Sequence, residues 1–116
     1  MAERENNLLI GDIISSINNV LSFTEGYTQS QYLADIKTRH AVERNFEIIG
    51  EAASRISEAF KNEHSQIEWR ILKDFRNFII YEYFGIDDLI VWDTIQFQLS
   101  DLLLQMKNLL SPSTPN

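Results

Sequence analysis

The chain has 116 residues and no cysteine, and its net charge at neutral pH is −7. This length fits one domain, and a hydrophobic share of 44% with a charged share of 23% is close to the globular average, which argues against a disordered or membrane class. The lack of thiols excludes disulfides and thiolate zinc sites, and the acidic balance disfavours loose electrostatic wrapping of nucleic acid.

The N-terminus, MAERENNLL, lacks the basic start and the long apolar run of a signal peptide. Apolar stretches elsewhere are interrupted every few residues, well short of the ~20 residues that a membrane span needs. We therefore expect a cytoplasmic protein with no membrane contact.

Charge is unevenly distributed along the chain. Residues 1–36 contain one basic and five acidic residues, and residues 77–116 also contain one basic and five acidic residues. Residues 37–76 contain eight basic and seven acidic residues. Any contact with nucleic acid is therefore expected in the middle of the chain, because such binding depends on Lys and Arg that neutralise phosphates.

A first helix is predicted over residues 7–25, where apolar residues recur at steps of three and four. Asn6 or Asn7 can cap its N-terminus. The turn segment FTEGYTQSQ, which contains Gly26 and Thr28, is expected to end this helix and to open the next.

A long second helix is predicted from Ser30 or Asp35 to Phe60, again from the apolar spacing. Within it, the segment IGEAAS clusters small residues around Gly50. A glycine inside a helix lowers helix propensity by ~1 kcal/mol, so a close helix crossing within the subunit is its expected role.

The third helix is predicted from Trp69 to about Tyr83, after the loop KNEHSQIEW, and Gly85 is expected to stop it. The fourth begins at Asp87 or Asp88, either of which can serve as its N-cap.

The predicted elements indicate an all-α fold, because no segment shows sustained alternation of period two. Four helices joined by short loops pack most simply as an up-and-down bundle. Residues 1–110 are expected to form a single helical domain, and residues 111–116, SPSTPN, a disordered tail. A homodimer would cover apolar residues that remain exposed.

Candidate chemistry lies in the nonapeptide RNFIIYEYF, which begins at Arg76. A helix places Arg76 and Tyr83 on one face, and Asn77 and Tyr81 on a neighbouring one. On spacing alone, packing explains these residues, with the Tyr83 hydroxyl at the edge of the core and the arginine in a salt bridge.

That salt bridge is predicted with an acid of the second helix such as Glu43 or Glu47. Glu47 and Glu51 also form an i, i+4 carboxylate pair that could bind a divalent ion, but salt bridges are the simpler interpretation. Three arginines can take part in them: Arg44, Arg55 and Arg76.

The two histidines, His40 and His64, lie outside this nonapeptide, and no second His or Cys stands at ligand spacing. We expect them to be solvated or packed, and we expect no metal site. Trp69 and Trp92 are predicted to be buried rather than free for base stacking.

Two segments carry a resemblance to a known family. EWRILKDFRNFIIYEYFGIDDLIVWDT and AVERNFEIIGEAASRIS resemble two signatures of the HepT-like branch of the HEPN superfamily. DIISSINNVLSFTEG resembles the opening helix of the same family. The likeness spans nearly the whole chain, from Leu8 to Leu110, and two motifs in the right order make it specific.

The resemblance implies a homodimer of four- or five-helix all-α subunits with an active site at the dimer cleft, built from the pattern R-x-x-x-x-H-x-Y. It also implies a metal-independent ribonuclease toxin that needs no cofactor. Its implied partner is a minimal nucleotidyltransferase (MNT) antitoxin, which AMPylates the motif tyrosine. Matched to this sequence, the catalytic pattern gives Arg76, with the supporting Asn77 after it, Tyr81 at the histidine position, and Tyr83 as the terminal tyrosine and modification site.

Tyr81 at the histidine position predicts a weakened or inactive nuclease. Metal-free RNA cleavage needs a base for the 2′-hydroxyl, an acid for the leaving oxygen and a cation, which Arg76 can supply. A tyrosine of pKa ~10 is only about one part in a thousand deprotonated at pH 7, whereas histidine at ~6.5 populates both forms. Two arginines across a cleft could lower the tyrosine pKa. The alternative is a non-catalytic dimeric scaffold that binds a nucleotide, RNA or a nucleotidyltransferase.

Overall fold

The computed structural model describes the backbone of residues 2–82 and 88–110, and the side chains of residues 4–77 and 88–110. Every regular element in these ranges is a helix, which confirms the predicted all-α class. None of the described helices is both long enough and apolar enough to span a bilayer. The predicted stop at Gly85 and the predicted tail at residues 111–116 lie outside the described residues.

Seven helices follow one another along the described ranges, and the central one is α3. It packs against both α1 and α5, while α7 packs on α1 and α6. Their bounds are α1 Ala2–Phe23, α2 Gln29–Ala34, α3 Ile36–Arg55, α4 Glu58–Glu63, α5 Trp69–Glu82, α6 Asp88–Phe97 and α7 Leu99–Leu110.

The N-terminus of α1 differs from the prediction. The helix begins at Ala2, so neither Asn6 nor Asn7 caps it. Asn6 is instead buried, donates from Nδ2 to Ser57 Oγ at 3.1 Å and accepts from the Ser57 N–H at 3.1 Å. A polar residue on the apolar side of α1 thus connects this helix to the junction between α3 and α4.

The turn after α1 is as predicted. Gly26 adopts a φ of 79°, a left-handed conformation that a residue without Cβ reaches at little cost. Thr28 then caps α2: its hydroxyl accepts from the Gln31 N–H at 3.1 Å, and the Gln31 side chain accepts from the Thr28 N–H at 2.9 Å. This reciprocal pair is a capping box, which fixes the start of the helix.

The single long helix predicted from Ser30 or Asp35 to Phe60 is wrong, because two caps divide it. Asp35 accepts from the Thr38 N–H and starts α3, and Ser57 accepts from the Phe60 N–H and starts α4. Short polar side chains of this kind satisfy free backbone donors and stabilise a new helix start.

The predicted fourth helix is also divided, into α6 and α7. α6 begins at Asp88, one of the two predicted starts. Backbone hydrogen bonds continue across the division, from the Gln98 N–H to Thr94 O at 3.0 Å and from the Leu102 N–H to Gln98 O at 3.1 Å. The Thr94 hydroxyl also donates to Ile90 O at 2.8 Å, a contact that often bends a helix.

The core lies between α1, α3 and α5 and extends to α6 and α7. Burying a large apolar side chain fully contributes roughly 1.5–3 kcal/mol, so the α3 interfaces supply much of the stability. Trp69 and Trp92 are buried, as predicted. The largest fully buried side chains are Tyr32, Phe46, Phe75, Ile10, Ile13, Ile17, Ile49, Leu72, Leu99, Met106, Val20 and Val42.

Candidate functional site at the crossing of α3 and α5

The site is best described from Arg76, the arginine of the predicted pattern, which lies on α5 where this helix crosses α3. Its side chain is about half exposed, and Nη1 lies 3.3 Å from Glu51 Oε1 on α3. The guanidinium is therefore held at the surface by a carboxylate of the neighbouring helix.

Gly50 permits the crossing. A Cβ at this position would lie 2.5 Å from Arg76 Cβ, 2.7 Å from Arg76 N and 3.0 Å from Arg76 Cα. Real Cβ atoms do not approach other atoms so closely, so α5 occupies the space that the missing side chain leaves. The predicted close helix crossing is confirmed, and its contact is the candidate site arginine.

An aromatic stack fixes α5 beside this crossing. Phe46, one helical turn before Gly50, stacks on Phe75 with ring centroids 4.7 Å apart, and both rings are fully buried. Because Phe75 immediately precedes Arg76, its burial turns the arginine away from the core and toward the surface.

Arg76 opens onto a groove of about 350 Å³ between α1, α3 and α5. Its lining combines equal numbers of arginines and acids with three less polar residues. The arginines are Arg44, Arg55 and Arg76, the acids are Asp12, Glu47 and Glu51, and the others are Leu9, Ile48 and Ala52. Guanidinium groups bind phosphates with paired hydrogen bonds, so such a groove can accept a phosphate-bearing ligand.

Glu47 and Glu51 form salt bridges, as the simpler interpretation of the sequence predicted. Arg44 Nη1 lies 3.1 Å from Glu47 Oε1, and this pair joins two residues of α3. Arg76 pairs with Glu51, which the sequence placed among the salt-bridge partners of these arginines, and not with Glu43 or Glu47, the acids named first for it. The reason is that the angle between α3 and α5 selects the acid, and sequence spacing does not give that angle.

The other residues of the predicted pattern are described only in part. Asn77 is exposed, and its Nδ2 donates to Asp74 Oδ1 at 3.3 Å on its own helix. Tyr81 lies on α5, five residues and thus about 7.5 Å of helix axis beyond Arg76, but its side chain is outside the described residues. Tyr83 is outside them altogether. The convergence of Arg76 with both tyrosines therefore stays a prediction.

Both histidines lie outside the groove. His40 is exposed on α3, and the His64 ring packs on Phe60 with centroids 4.4 Å apart, while its carbonyl accepts from Trp69 Nε1 at 3.0 Å. Within residues 4–77 and 88–110, no three His, Cys, Asp or Glu side chains are grouped closely enough to hold a metal ion.

Sequence reasoning placed Glu51 among the possible partners of Arg76 but missed the contact between Gly50 and Arg76. The available signal was the glycine followed at once by an acid inside a helix, since a residue that weakens a helix usually has a packing reason. Its contact partner on α5 could not be read from the sequence.

Comparison with known proteins adds an independent finding. The family model described as Ribonuclease HepT-like matches residues 13–109. A protein of Methanocaldococcus jannaschii named "Putative RNase MJ0127" is 34% identical over 95 residues, which cover 82% of this chain and 78% of the relative. "Probable ribonuclease HepT" of Thermococcus cleftensis is 35% identical over 100 residues, covering 86% and 91% respectively. No solved structure matches the chain significantly.

Proposed function

Because this chain belongs to the Ribonuclease HepT-like family, we propose that it acts on RNA through Arg76, without a metal, and with cleavage weakened by Tyr81 at the histidine position. Its nominal activity is that of a metal-independent endoribonuclease. The family assignment and the groove at the crossing of α3 and α5 support the same substrate class.

One observation carries this proposal: the exposed guanidinium of Arg76, held at the groove by Glu51. Phosphodiester cleavage places growing negative charge on the phosphorane oxygens, and a fixed cation beside them stabilises that charge. A cation buried in the core or paired deep in a helix interface could not reach an RNA phosphate.

We expect cleavage to be weak because the reaction requires proton transfer near neutral pH. A tyrosine of pKa ~10 that must act as a base near pH 7 starts with a deficit of roughly 4–5 kcal/mol, since one pKa unit is ~1.4 kcal/mol. A histidine has no such deficit, because its pKa is near neutral. We therefore assign Tyr81 and Tyr83 to the site as phenol donors beside Arg76, with Asn77 in support.

The proposed active unit is a homodimer in which two copies of Arg76 face a shared cleft. Leu8 on α1 supports such an assembly, because it is 64% exposed and precedes Leu9, which lines the groove beside Arg76. The packing of α1 on α7, which joins the two ends of the described chain, supports residues 1–110 as one domain.

The proposed partner is an MNT-type nucleotidyltransferase antitoxin that AMPylates Tyr83 and so silences a toxin. Incubation with an MNT-type nucleotidyltransferase and ATP should add the mass of AMP to the peptide that contains Tyr83. A Tyr83→Phe chain is the control and should gain no mass. A peptide map without the adduct would contradict the pairing and leave the RNA proposal standing.

The RNA proposal is tested by cleavage of a fluorescent RNA in the presence of EDTA. We expect Tyr81→His to accelerate cleavage by ~100-fold or more, the usual range for a restored general acid–base group. Arg76→Ala should abolish cleavage in both backgrounds. Arg70→Ala removes the same charge from an exposed position of α5 that does not line the groove, and it should retain the activity.

Two results would contradict the proposal in different ways. Equal cleavage by the parent and Tyr81→His chains would show that the histidine position does not limit the reaction. Binding of RNA that is the same in the parent and Arg76→Ala chains, with no cleavage by any chain, would remove RNA as the substrate.

Tyr81 also favours a second candidate function, a dimeric scaffold that binds RNA, a nucleotide or the nucleotidyltransferase without turnover. This candidate predicts that Tyr81→His still does not cleave, while Arg76→Ala loses ligand binding. The same set of chains therefore separates the scaffold from the weakened nuclease.

A further inference from the structure

We propose that Gly50 and Glu51 form a positioning device for Arg76, in which the glycine sets how closely α5 approaches α3 and the carboxylate sets the direction of the guanidinium. The inference rests on the proposed function, because Arg76 needs a set direction only if it serves a ligand. Neither residue is proposed to contact the reacting atoms.

The backbone part of the device is the contact at Gly50. The Arg76 backbone nitrogen, Cα and Cβ all lie within 3.0 Å of the position that a Cβ of residue 50 would take. The Cα and Cβ atoms of Arg76 are therefore fixed against the backbone of α3. The side chain can still rotate about its bonds beyond Cβ.

The Glu51 carboxylate limits that remaining freedom. Its Oε1 lies 3.3 Å from Arg76 Nη1, and a guanidinium has five N–H donors in a planar fork. A contact at Nη1 leaves the other edge of the fork with donors for a paired contact to a phosphate. Glu51 can thus hold the arginine while the arginine holds a ligand.

The groove contains a second ion pair, between Arg44 and Glu47, with which the Arg76–Glu51 pair can be compared. Arg44 and Glu47 are three residues apart on α3, so their contact stays within one helix. Arg76 and Glu51 connect two helices and join the groove to the predicted pattern on α5. Both pairs are exposed enough that their effect on folding is small, which allows a functional effect to be separated from unfolding.

The test compares Glu51→Ala with Glu47→Ala, a matched control that removes the same charge from the same helix and groove. Alanine preserves both helical positions. Arginine-selective ¹⁵N NMR reports how freely the Arg76 side chain rotates, with Arg76→Ala identifying its signal. Binding of a fluorescent RNA gives Kd, and single-turnover cleavage is measured in the parent background or, where that is too slow, with Tyr81→His.

We expect Glu51→Ala to release the Arg76 signal into fast rotation, while Glu47→Ala leaves it unchanged. Both variants should bind RNA about twofold to fivefold more tightly, because each removes a carboxylate that repels phosphate. Glu51→Ala should cleave about tenfold more slowly than Glu47→Ala, as expected for a misaligned catalytic group. Glu51→Gln keeps a hydrogen-bond acceptor and should restore part of that rate.

Tighter RNA binding together with slower cleavage distinguishes the positioning role from partial unfolding, because partial unfolding would lower both the RNA affinity and the cleavage rate. Unchanged Arg76 rotation in Glu51→Ala, or cleavage rates equal to those of Glu47→Ala, would overturn the positioning role while the RNA function stood. If Arg76→Ala binds RNA as the parent does and no chain cleaves it, the proposed function fails, and the positioning role for RNA fails with it.

Discussion

At position 50 only a glycine fits without displacement of α5, because a Cβ there would lie 2.5 Å from Arg76 Cβ and 2.7 Å from the Arg76 backbone nitrogen. We predict that Gly50→Ala destabilises the fold by a net ~1–2 kcal/mol, since overpacking costs about 1–3 kcal/mol and the gain in helix propensity returns up to ~1 kcal/mol. Urea unfolding measures the change.

Gly11→Ala is the matched control for this substitution. Gly11 also lies inside a helix, but a Cβ there would have no atom within 4 Å. The same chemical change should therefore stabilise the chain by about 0.5–1 kcal/mol. Equal effects at the two positions would show that the close approach at Gly50 carries no strain.

The partner of Arg76 shows which residue contacts a sequence can predict. The Arg44–Glu47 pair follows from helix geometry, since residues three apart share one face. The Arg76–Glu51 pair depends on the crossing of two helices, so the sequence narrowed the partner to acids of one helix and could not choose among them. The family resemblance identified Arg76, and the fold identified its neighbours.

At the scale of the element, apolar spacing predicted where helices lie but not where they break. The apolar stripe continues through Asp35 and Ser57, so periodicity alone joins three helices into one. The breaks come from side-chain oxygens that accept backbone N–H groups, a local preference that competes with continued helix. Both residues are good N-caps, and that signal was present in the sequence.

The cap at Asp35 makes the start of α3 dependent on pH. Hydrogen bonds from the Thr38 N–H, the Thr38 hydroxyl and the Tyr27 hydroxyl lower the pKa of Asp35 from 3.8 to about 2. The folded pKa is the lower one, so the stabilisation is present above pH 3.8 and is lost as the pH falls through about 2. Asp35→Asn cannot titrate, so its stability should fall less over this range than that of the parent.

Denaturant unfolding at several pH values between these limits measures that difference. Thr38→Val gives an intermediate case, because it removes the hydroxyl donor, 2.7 Å from Asp35 Oδ2, but keeps the backbone donor. Its pH dependence should lie between those of the parent and Asp35→Asn. Three identical profiles would exclude this cap as a source of acid sensitivity.

The link between Asn6 and Ser57 ties α1 to the junction of α3 and α4. We predict that Asn6→Ala lowers the free energy of unfolding by about 1–3 kcal/mol, because it removes two hydrogen bonds of a buried side chain and leaves the Ser57 N–H without its acceptor. Asn18→Ala is the control, because it changes an exposed asparagine of the same helix. It should change the free energy of unfolding by no more than ~0.5 kcal/mol. Similar losses for both would contradict a specific role of the Asn6–Ser57 link, because the change to alanine improves helix propensity at both positions.

For the whole molecule, the charge distribution favours one place for an anionic ligand. Eight of the ten Lys and Arg residues lie between positions 37 and 76, in a chain whose net charge is −7. Three of these eight line the groove beside α5. An acidic surface elsewhere repels RNA, so productive contacts are concentrated where guanidinium groups gather.

The proposed cleft requires two copies of α5 to face each other in a dimer, and cross-linking tests this arrangement. Because the chain has no cysteine, Asn77→Cys would carry a unique thiol on an exposed position next to Arg76. We predict that a short bismaleimide joins two such chains into a species of twice the 13.5 kDa chain mass, even at low concentration. Asp101→Cys, exposed on α7, is the control and should cross-link much more slowly, since the main packing partners of α7 among the described residues are α1 and α6. A monomer by light scattering, with no cross-link at position 77, would leave Arg76 without a second copy and exclude the shared cleft.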